Sequence, residues 1–291
     1  MQSALAATLT TPEWWAMALA GFLIRGGILL VLIPIVALPT PAGFITDVSP
    51  TVEVLLLGTP TLATTLLTAS ALTAVLLGIA WLGLAGAWFE TALVRDATAS
   101  DELDLMWEPV AAVSAWRAFG LRLAAHIPTF LALAHAIVRV ILVAYDQFTS
   151  PDDPGVPVID RVIGRVPDAI ALVVVAWLFG EVVGSLAARR AAAGLSNRAA
   201  LVGSVRQLLA PRGLATFAAT TALLVCVAVP FALAAERAWE HVRSYLLFGV
   251  DTIQLTAAVI VLVATWVLGL AIVGAALAWR ATAWTAEVNA G

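Results

Sequence analysis

"AWLFGEVVGSLAARR", residues 176–190, decides the fold class. It is apolar, rich in small residues and closed by two arginines, which is how the last turns of a membrane-spanning helix read. One carboxylate, Glu181, interrupts it. A charge inside such a segment is costly and needs a partner, so the stretch raises both the fold and the candidate site.

The rest of the chain extends the first reading. Apolar residues make up 62% of the 291 and charged residues 12%, against about 45–50% and about 25% in ordinary soluble domains. With a mean hydropathy of +1.00, most of this surface must face lipid. All fifteen basic residues are arginine, which excludes lysine Schiff-base chemistry and a phosphate loop of the GxxxxGK[ST] type. The single cysteine, Cys226, excludes an internal disulfide and reads as a small core residue. The N-terminus lacks the basic region of a secretory signal, so the first apolar run is expected to stay as a span.

A bilayer core of about 30 Å takes about 20 helical residues. Six stretches meet that length: Trp15–Leu38, Leu62–Leu93, Leu121–Tyr145, Asp168–Ala188, Leu214–Ala235 and Ile253–Ala283. The class is therefore all-α, a polytopic integral membrane protein, with residues 1–291 as a single transmembrane domain. Arginine placement orients it. Arg189, Arg190, Arg198, Arg206 and Arg212 gather between the fourth and fifth spans, whereas residues 39–60 hold none. Both termini are then expected on the cytoplasmic side.

The even-numbered spans end alike. In "AWLGLAGAWFETALVRDAT" (80–98), "AWLFGEVVGSLAARRAAA" (176–193) and "TWVLGLAIVGAALAWRATA" (265–283) a tryptophan precedes an arginine by 14, 13 and 14 positions. This spacing predicts three tandem helical hairpins, 1–95, 96–190 and 191–291. Amphipathic cytoplasmic helices are expected before the third span, within 101–120, and before the fifth, within 194–213. The second has Leu195, Ala199, Val202, Val205 and Leu209 as its apolar stripe, Arg198 and Arg206 off it, Ser196 as N-cap and Pro211 as stop.

That layout, with "VGSVRQLLAPRGLATFAATTALL" (202–224) running from an amphipathic helix into a span, resembles a group of uncharacterised six-helix bacterial membrane proteins. The group includes the membrane domain associated with glycerophosphodiester phosphodiesterases. The likeness rests on arrangement and on Ser204, Arg206 and Leu208, over about a quarter of the chain. It implies architecture only and carries no catalytic motif; a bacterial plasma membrane is the expected location.

Ionisable residues at membrane depth form the candidate site. Glu181 lies eight residues before Arg189, about 12 Å into its span at about 1.5 Å per residue. Arg25, Glu90 and Arg122 fall near the same ends of their spans, so these four are expected to form one buried polar layer. Glu181 is expected to pair with Arg25, or otherwise with Arg122. Gly180 and Gly184 give the small-xxx-small spacing of a close helix crossing. His126 and His135, nine apart, fall on opposite helix faces and do not share a metal. Pro128 and Pro230 are expected to kink their helices.

No nucleophile elbow, HExxH, phosphate loop or Cys/His cluster is present, so no catalytic, cofactor or metal residue is assigned. Two functions stay open. The first is a non-enzymatic scaffold, partner-binding subunit or membrane-organising component; the second is a transporter or permease using Glu181 and Arg25. The expected partners are the bilayer, anionic lipid at the arginine-rich face, and a protein partner or a second copy. Nucleic acid is not among them.

Overall fold

The computed structural model describes residues 2–28, 61–99, 113–149, 156, 158–249 and 251–289. Among them it is helical, with no strand. The helices are α1 (Gln2–Thr10), α2 (Pro12–Phe22), α3 (Leu62–Thr98), α4 (Ala115–Ala125), α5 (Ile127–Thr149), α6 (Val158–Arg165), α7 (Pro167–Ala192), α8 (Asn197–Leu209), α9 (Pro211–Phe248) and α10 (Thr252–Asn289). A π-helical turn, Leu23–Gly27, follows α2. Five helices, α3, α5, α7, α9 and α10, are long and apolar enough to cross a membrane. Of the expected first span only residues 15–28 are described, and of the amphipathic segment expected within 101–120 residues 101–112 lie outside the described residues.

Three expectations change on contact with the structure. The third span is not continuous: a turn at His126 separates α4 from α5. Pro128 explains it, because a proline has no N–H for the ladder and crowds the carbonyl four residues back. His126 N–H bonds Leu123 O at 3.2 Å, and Phe130 N–H then restarts the helix on His126 O at 3.0 Å. The fifth span does not stop near Ala235 either. It continues through Trp239 and Tyr245 as one 38-residue helix, about 57 Å long and so well beyond a bilayer core. Cys226, expected in a core, is exposed on that helix.

A helix, α8, occupies the segment expected before the fifth span. Ser196 caps it by accepting from Ala199 N–H, and extended Ala210 separates it from Pro211, the first residue of α9. Ala200, Ser204 and Leu208 face inward, which leaves the apolar stripe of Leu195, Val202 and Leu209 outside. Arg198 and Arg206 join that stripe, contrary to expectation. They lie four residues before and four after Val202, and such spacings share a helix face.

The chain divides into two compact units, Met1–Ala37 with Leu82–Arg122 and Val182–Gly291, and Leu38–Trp81 with Leu123–Glu181. In the first, α1 and α2 pack on α10 around Ala4, Ala7, Trp14, Leu93, Ala97 and Ala278. Alanine dominates this contact because small side chains let backbones approach closely. Trp14 Nε1 donates to Asp96 at 2.6 Å, and Thr8 and Thr282 hydroxyls meet at 3.0 Å. A second patch joins Leu121, Ala187, Ala191 and Ala200. In the other unit, Thr129 Oγ1 donates to Ala176 O at 3.0 Å, linking α5 to α7.

Candidate functional site

Within the first unit, the π-helical turn, α4 and α7 converge on the carboxylate of Glu90. Arg122 Nε donates to Oε2 at 2.5 Å, Arg189 Nη1 to Oε1 at 3.1 Å, and Ser185 Oγ to Oε1 at 3.0 Å. Arg25 Nη1 stands 3.6 Å from Oε2. Glu90, Arg122 and Arg189 are all buried. A carboxylate so enclosed is tolerated only when charge partners and hydrogen bonds replace its water.

Local structure places each arm. Arg25 sits at the centre of the π-helical turn Leu23–Gly27, where the poor helix propensity of Gly26 and Gly27 favours an irregular turn. Its stem crosses α3 at Gly86, one turn before Glu90. A Cβ on Gly86 would stand 2.5 Å from Arg25 Cγ, so the glycine makes room for the arm. On α7, Ser185 and Arg189 are one turn apart and thus share a face.

Arg189 was expected as a loop arginine marking the cytoplasmic side. The structure buries it, 1% exposed, and engages its fork on every side. Nε donates to Thr285 Oγ1 at 3.0 Å, Nη1 also reaches Ser185 O and Oγ, and Nη2 donates to Ala281 O at 3.1 Å. A guanidinium has five donors in a fixed plane, and here they tie α7 to α3 and α10 at once.

A second polar set lies further along α10. Glu287 is held by Arg212, whose Nε stands 3.0 Å from Oε1, and it accepts from Thr216 Oγ1 at 3.3 Å. Gln207 bridges α8 into it, donating to Glu287 O at 3.0 Å and accepting from Arg190 Nη2 at 2.9 Å. Beside Glu90 opens a cleft of about 220 Å³, lined by Trp88, Thr91, Arg95, Thr98 and Ala188 among others. That volume admits several waters.

The sequence placed Arg25, Glu90 and Arg122 in one layer, and the structure brings those three together. It sets Glu90 beside Arg25 and Arg122. Glu181 lies in the other unit, its Oε1 3.5 Å from His126 Nε2. Gly180 permits that approach, since a Cβ there would stand 2.9 Å from the imidazole; Gly184 is buried. His135 is exposed. No group of metal-ligating side chains occurs among the described residues.

Sequence reasoning missed Arg189, Ser185, Thr285 and Glu287. One signal was available: Ser185 and Arg189, four apart, put a hydroxyl and a guanidinium on the packed face of an otherwise apolar helix. The other two come from a distant part of the chain and had no local signal. The chain matches no protein-family model, no curated protein and no solved structure.

Proposed function

We propose that this is a non-enzymatic multi-span protein of the bacterial plasma membrane, acting as a scaffold, partner-binding subunit or membrane-organising component. In this reading residues 15–38 supply a sixth span, the spans pair as three hairpins, and both termini are cytoplasmic, as in the six-helix group that the chain resembles. One observation carries it: the Glu90 carboxylate accepts from Arg122, Arg189 and Ser185 together. A proton carrier or substrate ligand needs an acceptor that exchanges partners, whereas Glu90 is clamped by three side chains from α4 and α7. A polar group so satisfied fixes helix positions.

A transport reading draws on one other observation. His126 and Glu181 form a titratable pair beside a helix break, and both side chains are partly open, 16% and 25% exposed. The deciding experiment is isolation of the tagged protein from its native membrane in mild detergent, followed by native mass spectrometry. A stoichiometric protein partner is expected. A lone chain that retains a small molecule would overturn the scaffold reading and move attention to His126 and Glu181.

A further inference from the structure

Between Glu181 and Glu236 the chain has no acidic residue and five arginines. Three of them are engaged internally: Arg189 at Glu90, Arg190 at Gln207 and Arg212 at Glu287. The other two, Arg198 and Arg206, are exposed on α8 and make no ion pair or side-chain hydrogen bond among the described residues. They share its outer face with Leu195, Val202 and Leu209, which are 38%, 44% and 65% exposed.

The inner face and both ends of this helix are fixed. Ala200 packs against Ala187, Ala191 and Leu121. At the start Arg117 donates to Leu195 O at 2.6 Å and to Asn197 Oδ1 at 2.8 Å; at the end Gln207 is held by Arg190 and Glu287. The helix therefore presents its outer side rigidly. It also fills the connection between α7 and α9, both long enough to cross a membrane, so it joins the ends of two successive spans at one bilayer surface. About 20 Å of helix carrying exposed leucine, valine and arginine at that level matches an anionic headgroup layer.

We propose that the outer face of α8 is a binding surface for anionic phospholipid. Arg198 and Arg206 hold lipid phosphate, and Leu195, Val202 and Leu209 enter the acyl boundary. This rests on the bilayer-embedded part of the reading above and not on the scaffold role. An acidic protein surface is the competing occupant, and the test separates the two.

The full-length protein is reconstituted into nanodiscs of mixed phosphatidylglycerol and phosphatidylcholine, then released into detergent for native mass spectrometry. Wild type is expected to retain phosphatidylglycerol in preference, with retention falling as salt rises. The double variant Arg198→Gln/Arg206→Gln should lose that preference by about tenfold, while Arg198→Lys/Arg206→Lys keeps it. Arg237→Gln/Arg243→Gln, at the far end of α9, should change nothing. Equal retention of the two lipids by wild type, or no salt dependence, overturns the proposal even if the double variant misfolds. So does a stoichiometric protein that the double variant releases. Failure of the chain to enter the nanodisc at all would instead refute the bilayer-embedded reading.

Discussion

Arg189 and Glu90 meet at 3.1 Å, ninety-nine positions apart in the chain, and both are almost wholly buried. The pair joins α7 to α3, and through Thr285 and Ala281 the same guanidinium reaches α10. Removing one member of such a pair leaves the other charged in a low-dielectric surrounding, which costs more than the intact pair contributes.

Glu90→Ala should therefore lower the stability of the detergent-solubilised protein by about 3–5 kcal/mol. Thermal unfolding followed by size-exclusion fluorescence measures it. A variant as stable as wild type would show that Arg25, Arg122 and Arg189 do not depend on this carboxylate.

Arg189→Lys should recover little of what Arg189→Ala loses. A lysine ammonium is a single point on a flexible stem, and it cannot meet Glu90, Ser185, Thr285 and Ala281 together as a planar fork does. The double-mutant cycle of Glu90→Gln with Arg189→Gln should give a coupling of about 1–3 kcal/mol. Additive losses would mean that the two residues act separately.

Glu181→Gln should cost about 1 kcal/mol or less, clearly below Glu90→Gln, because the Glu181 side chain is a quarter exposed and Glu90 is buried. The two variants are compared in the same thermal assay. An equal or larger loss at Glu181 would make it the principal helix clamp.

Gly86→Val should be destabilising by about 1–3 kcal/mol, since its side chain would occupy the path of the Arg25 stem. Combining it with Arg25→Ala, which vacates that path, should restore part of the loss. If Gly86→Val costs nothing, the arm does not take this route in the membrane.

Ser196→Ala should cost about 0.5–1 kcal/mol by leaving the Ala199 N–H at the start of α8 without its cap. Hydrogen exchange confined to residues 197–200 would register it, with the long helices unaffected.

What residue order settled was the class of object and the rough extent of its helices. Hydropathy over about twenty residues is a local sum, and it found the five long apolar helices; neighbours within a few positions gave the Ser196 cap and a disturbance at Pro128, expected as a kink and found as a break. It also drew Arg25, Glu90 and Arg122 together, because depth in a span follows from distance to its end. What the tertiary structure decided was which charge meets which. Glu90 and Glu181 look alike along the chain, each a lone carboxylate near the end of an alanine-rich helix. Only the rotation of each helix about its axis, set by glycine and alanine contacts such as Gly86 with Arg25 and Gly180 with His126, decides which partners each one meets. The same rotation buried Arg189 and left Arg198 and Arg206 outside. Pairing across ninety-nine residues has no local signature, because its energy is gained only after the helices have packed.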